Sequence, residues 1–223
     1  MVKRIISTKK YFLALVITII IFGLAIIFGM IMDNKRIIWL ENNLDNIKQD
    51  YIYMKGKISL SENNLYCSEL MKITRQSEQK LVAISKNLAY FKNIADMKIN
   101  FYSEFEADFY KTILDTYFIS SEIETLCKKN IVQILYLYSD NCLNCYKQKI
   151  VFEYISKKFE NNIQLYLVNS ERINDELLKN HKIPANINIK SLIIIDDEKI
   201  GEFASLDEIQ KLICGKINDE KIC

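Results

Sequence analysis

Residues Tyr11 to Met32 form an unbroken apolar run, YFLALVITIIIFGLAIIFGMIM, relieved only by Thr18 and two glycines. At about 1.5 Å of rise per residue, such a run spans a hydrocarbon core of roughly 30 Å. Core helices of soluble domains are rarely apolar on every face. A cleaved leader would have a shorter apolar stretch followed by small residues, whereas Met32 leads into Asp33-Asn34-Lys35-Arg36. The run therefore predicts one uncleaved transmembrane anchor at residues 11–32, embedded in a lipid bilayer. Lys3, Arg4, Lys9 and Lys10 precede it, while Lys35 and Arg36 follow it beside Asp33. The positive-inside bias then leaves residues 1–10 in the cytoplasm and carries the rest of the chain outside the cell membrane.

All six cysteines follow the anchor, and an even number of them suits an oxidising compartment. The single histidine, His181, argues against a His-built metal site or a catalytic triad that needs imidazole. Lys and Arg number 30 against 28 Asp and Glu, a balance that gives no footprint for nucleic acid. Five glycines and one proline argue against a turn-dense β-sandwich.

Residues 33–129 read as a helical stalk. Ile37, Leu40, Leu44, Ile47, Tyr51, Met54 and Ile58 alternate steps of three and four. This is a short heptad seam, read equally as parallel self-association in a homodimer or as one amphipathic helix packed on its own chain. A second stripe runs through Cys67, Leu70, Thr74, Ser77, Leu81, Ile84, Leu88 and Phe91, and a third through Phe105, Phe109, Ile113, Thr116, Ser120, Ile123 and Cys127. A turn at Asp96–Asn100 would fold these two helices into an antiparallel hairpin. Cys67 and Cys127 lie equally far from Met97, so they meet at the open end of the hairpin. A disulfide between them is the expected outcome, two buried thiols the alternative.

The periodicity changes at Asn130. Ile131–Tyr138 is a β-branched and aromatic run suited to a buried strand. Ser139-Asp140-Asn141 turns the chain into Cys142-Leu143-Asn144-Cys145, and Val151, Ile155 and Phe159 follow at helical spacing. Asn162–Val168 reads as a strand, and Ser170–Lys179 as a helix capped by Ser170. Ser191–Ile195 reads as a strand, Lys199–Phe203 as another after an acidic turn. Ser205 or Asp207 opens a last helix through Ile213. The expected order over residues 130–215 is β-α-β-α-β-β-α, with a polar tail at 216–223.

That order, with CxxC between the first strand and the next helix, resembles the thioredoxin-like superfamily. ILYLYSDNCLNC is similar to its strand-loop-CxxC entry and SLIIIDDEKIGEF to its later hairpin. The anchor, stalk and C-terminal domain together also resemble membrane-tethered thioredoxin-like proteins. The resemblance implies thiol–disulfide exchange on extracytoplasmic proteins that carry thiols or disulfides, with no cofactor beyond the chain's own cysteines. The sequence departs from the family pattern twice. Tyr136 stands where thioredoxins carry a buried Asp, six residues before the first cysteine. Lys190 stands where they carry a cis-proline, and Pro184 lies earlier in the chain.

Placement of the CxxC pair suggests the chemistry. A cysteine at a helix N-terminus faces unpaired backbone N–H groups that favour the thiolate, below the usual pKa of about 8.5. Cys142 is the expected nucleophile and Cys145, one turn on, the resolving thiol. Lys147 and Lys149 read as solvated helix-face charges or as additional positive potential. His181 reads as a turn residue, and Cys214 with Cys223 as a small closing disulfide or a relay pair. A redox-silent binding or scaffold module on the same fold is the alternative function, and copper or haem maturation a third.

Overall fold

The computed structural model describes residues 8–60, 66–92, 99–128, 131–160, 162–173, 178–179, 183, 191–196, 198–217 and 223. It is mostly helical, with one small mixed sheet, and divides into two compact units, Met1–Asn43 and Leu44–Cys223. Helix α1 (Thr8–Leu60) starts in the first unit. There it contains an 18-residue window of mean hydropathy 3.0 with none of it buried, long and apolar enough to cross a membrane. An unbroken helix is the physical solution for such a run, because it satisfies every backbone N–H and C=O internally.

In the second unit, the end of α1 joins α2 (Cys67–Lys92) and α3 (Ile99–Cys127). Ile47 and Met54 are buried, and Met54 shares one apolar cluster with Leu70 of α2 and Ile119 and Ile123 of α3. The heptad seam thus packs on its own chain at these positions. The polar members of the two expected stripes are buried too, each with a partner. Thr74 donates to the Leu70 carbonyl (2.9 Å), Ser77 to Asp50 (3.3 Å), and Thr116 to the Thr112 carbonyl (2.7 Å). Asp50 also pairs with Lys80 (2.9 Å), and Lys48 reaches Asp108 of α3 (2.5 Å). A disulfide joins Cys67 to Cys127 with the Cα atoms 5.6 Å apart, at the start of α2 and the end of α3. The expected turn at Asp96-Met97-Lys98 lies outside the described residues; Ile99 and Asn100 already belong to α3.

The sheet has the order β2-β1-β3-β4. Strand β1 (Val132–Tyr138) runs parallel to β2 (Ile163–Asn169) and antiparallel to β3 (Ser191–Ile195), and β3 pairs antiparallel with β4 (Glu198–Gly201). Central position explains why β1 is buried on both faces. Ile134 and Tyr136 on one face join Phe152 and Ile155 of α4 (Cys145–Lys158), its C-cap Phe159, and Ile209 and Ile213 of α5 (Leu206–Lys216) in one core cluster. On the other face Gln133 donates to Ser120 of α3 (2.9 Å), and Tyr117 of α3 donates to the Asp196 carbonyl (2.9 Å). Helix α3 therefore covers part of the sheet as well as packing on α2.

Local signals set the boundaries. Asp196 takes a left-handed conformation (φ 52°) at the tight β3–β4 turn, which short polar residues tolerate. Its carboxylate accepts from the Gln133 backbone N–H (2.8 Å) and from Lys216 (2.6 Å). Ser205 caps α5 in a reciprocal box with Glu208, the pattern expected when Ser is followed three residues later by Glu. Ser170 does not cap a helix as its sequence position suggested. Asn169 accepts from the Glu171 N–H (3.0 Å) and opens a single 3₁₀ turn, Ser170–Arg172. The Ser170 hydroxyl donates instead to the Tyr138 carbonyl (3.2 Å). Most of the expected helix after this turn lies outside the described residues.

Candidate functional site

Strand β1 delivers the chain to the CxxC, and α4 carries it away. Cys142 and Cys145 are joined by a disulfide, with the Cα atoms 5.4 Å apart. Their environments differ. Cys142 is half-buried, whereas Cys145 is only 6% exposed and packs in the core cluster with Tyr136 and Phe152. Of the two, Cys142 is the more exposed residue.

Helix α4 starts at Cys145, one turn later than the sequence suggested. Asn144 is its N-cap, with φ −98° and ψ −3° and no side-chain capping bond, and its carbonyl accepts the Gln148 N–H (3.0 Å). The helix therefore begins after Asn144 without a side-chain cap, and Cys142 stays in the preceding loop. The first-turn N–H groups have no intrahelical partner, and the first turn holds no acidic residue. The positive end of the helix is therefore not neutralised by a first-turn carboxylate beside the sulfurs, and it favours thiolate on either cysteine once the bridge opens.

A polar network fixes the loop between β1 and the disulfide. Asp140 accepts from Asn169 (2.8 Å) and pairs with Arg172 (3.0 Å), while its backbone N–H donates to Glu171 (3.2 Å). Arg172 also reaches Glu106 of α3, a carboxylate only 5% exposed, at 3.3 Å. The Tyr138 and Tyr110 hydroxyls meet at 3.2 Å. Burial raises the pKa of both phenols, so they stay protonated through the physiological range. Lys149 lies over the Tyr138 ring, 4.1 Å from its centre. Lys147 is exposed.

Tyr136 shares the core cluster with Cys145 and lies edge-on to Phe152 (5.1 Å between ring centres) and stacked on Tyr138 (5.8 Å). Its hydroxyl is buried beside Ser191, which donates to the Glu202 carbonyl (2.6 Å), and makes no well-formed hydrogen bond itself. Burial pushes its pKa up to about 12. At neutral pH this group is a neutral hydroxyl, unable to take a proton as a carboxylate would.

The remaining sequence candidates sit elsewhere. Cys214 and Cys223 form a third disulfide, Cα atoms 5.6 Å apart, with Cys214 packed against the core cluster and Cys223 exposed. His181, Pro184 and Lys190 lie outside the described residues. Sequence reasoning missed a cavity of about 630 Å³ between α2, α3 and the start of β2, lined by the Cys67–Cys127 bridge, Arg75, Glu78 and Glu124 among others. It also missed the Asp140–Arg172–Glu106 group, whose members lie too far apart in sequence for any spacing rule to join them. No protein-family model matches the chain, and no curated protein matches it.

Proposed function

We propose that the chain is a membrane-anchored thiol–disulfide oxidoreductase acting on extracytoplasmic proteins through Cys142 and Cys145. The observation that carries this reading is the disulfide at a strand-to-helix junction, with Cys142 the partly exposed and Cys145 the buried partner. The order β2-β1-β3-β4, with a parallel β1–β2 pair joined through the CxxC helix, supports a thioredoxin-like domain. Three disulfides among six cysteines support an oxidising compartment. Tyr11, exposed at the start of the apolar segment, sits where interfacial aromatics are found.

In the oxidised form a substrate thiolate attacks the Cys142 Sγ, the S–S bond breaks, and Cys145 leaves as a thiolate beside the first-turn N–H groups of α4. A second substrate thiolate then attacks the substrate sulfur of the mixed disulfide and expels Cys142. The substrate loses two electrons to form a disulfide and the CxxC pair gains them. The same steps run backwards when the reduced pair meets a substrate disulfide.

Replacing Cys145 with Ser removes the resolving thiol and leaves Cys142 competent. DTT-sensitive covalent adducts with partner proteins are then expected in the membrane fraction, and Cys142→Ser should abolish them. If Cys145→Ser traps nothing under either oxidising or reducing conditions, the exchange reading fails and a redox-silent scaffold replaces it. Topology has its own check. Protease added to intact cells or spheroplasts should remove the C-terminal domain and spare an N-terminal tag; protection of both ends would overturn the placement.

A further inference from the structure

We propose that the outward face of α4 is a docking strip that seats a short apolar, acidic-flanked segment of the substrate polypeptide beside its reacting cysteine. This deepens the exchange reading and rests on it. The strip is Leu143, Tyr146, Ile150 and Tyr154, which are 89%, 76%, 50% and 53% exposed. Tyr146, Ile150 and Tyr154, four residues apart, fall on one side of the helix, and Leu143 precedes them in the loop between the two cysteines. The opposite side, Cys145, Gln148, Phe152 and Ile155, is buried and does the packing for the fold. Single exposed apolar side chains are ordinary, but three on one helix face with a fourth in the adjoining loop are the pattern of a contact surface.

What occupies the strip follows from where it begins and from its charge. Leu143 lies between the two cysteines, so whatever rests on the strip has one end at the Cys142 sulfur. From Cys145 to Tyr154 the helix rises about 14 Å, the length of roughly four residues of extended chain. Exposed Lys147, Lys157 and Lys158 outnumber the one exposed acid on α4, Glu153. The complementary partner is therefore a polypeptide with about four apolar residues and acidic neighbours next to its cysteine. Seating that segment converts sulfur attack into a local event and raises its effective concentration.

The test uses the oxidised full-length chain in nanodiscs and three thiols: a cysteine peptide with four apolar residues and two Glu, the same peptide with Ser at the apolar positions, and a small dithiol. The readout is the second-order rate constant for opening the Cys142–Cys145 bridge. The wild-type chain should react about tenfold faster with the apolar peptide than with the Ser peptide. A double Ile150→Gln, Tyr154→Gln chain should lose that preference while its ratio of Ser-peptide to small-dithiol rates stays constant; glutamine adds no charge and is a good helix former, so α4 is retained. Equal rates for the two peptides on the wild-type chain, or a preference that survives in the variant, would overturn the proposal. So would a dimer that the variant dissolves, which would give the strip to a second copy. A preference that vanishes in anionic nanodiscs and persists in neutral ones would give it to the lipid surface. A bridge that none of the three thiols opens would sink the exchange reading itself.

Discussion

A chain with both Cys67 and Cys127 replaced by Ala should lose about 4 kcal/mol of stability in the Leu44–Cys223 unit. The bridge closes a loop with a sequence separation of 60 residues, and the chain-entropy treatment of a loop that long gives about 4 kcal/mol at 25 °C. Packing cannot make up the difference at that end of the helices. The apolar cluster there is small, with Met54, Leu70, Ile119 and Ile123 as its buried members, and Cys127 packs on its edge beside a cavity of about 630 Å³. For a unit of this size each kcal/mol corresponds to about 2–4 °C, so the melting point should fall by roughly 8–16 °C. Thermal unfolding of the detergent-solubilised chain, followed by the near-UV signal of its tyrosines, measures the shift. A fall of less than 2 °C would mean that α2 and α3 hold together by side-chain packing alone. The remaining CxxC chemistry offers an internal control, because the Cys142–Cys145 bridge closes a loop of only three residues and adds little entropy.

Which of these features could be read from the sequence depends on how local their causes are. The apolar segment, the three helical stripes and the strands β1 and β3 were legible because burial imposes a period, and the period survives in the sequence. Leu70, Thr74, Ser77 and Leu81 are all buried, as are Phe105, Phe109, Ile113 and Thr116. The pairing of Cys67 with Cys127 was legible because two antiparallel helices of equal rise convert sequence distance into height. Boundaries were less so. Asn169 takes the capping position expected of Ser170, since Ser, Asn and Asp compete for such sites on similar terms, and the CxxC helix starts at Cys145 rather than at Cys142. The polar groups that position the CxxC loop were not legible at all. Glu106, Asp140 and Arg172 meet only because α3 lies against the same end of the sheet as the β1 and β2 loops. Charge pairing leaves no periodic trace in one sequence.

That distinction bears on how the site is built. Cys142 packs against the core cluster, and its loop is tied through Asp140 to Asn169 and Arg172, the latter paired in turn with Glu106 of α3. Opening the disulfide removes one tether and leaves the others. The reduced loop should therefore keep Cys142 over the start of α4, where the helix N-terminus favours its thiolate, without needing a carboxylate at the Tyr136 position.

Glu78 should make the Leu44–Cys223 unit less stable as pH rises from about 4.5 to 7, the reverse of the usual carboxylate effect. Burial pushes its carboxyl from 4.5 up to about 7, against the opposing pull of a hydrogen bond from Tyr166, the charge of Arg75 and a hydrogen bond from Gln164. Tyr166 donates to it at 2.5 Å, and burial together with the Glu78 charge holds that phenol protonated well above its ordinary value. Around the same cavity stand Lys72 and Arg75 of α2, Glu124 of α3, and Glu160 beyond α4. The sign follows from proton counts. Between pH 4.5 and 7 the unfolded chain has released the Glu78 proton and the folded chain keeps it. The folded state therefore binds more protons, and stability declines through that window. Below it both states are protonated and the penalty vanishes; above it both are ionised and the penalty is complete. The displacement corresponds to about 3 kcal/mol as an upper limit. Glu78→Gln keeps an oxygen to accept from Tyr166 and removes the ionisation. Its stability measured at pH 5 and pH 8 should fall by about 2–3 kcal/mol less than that of the wild-type chain, and at pH 8 the variant should be the more stable of the two. Parallel profiles for the two chains would show that the cavity solvates the Glu78 carboxylate as well as water does, and the buried-carboxyl account would be lost.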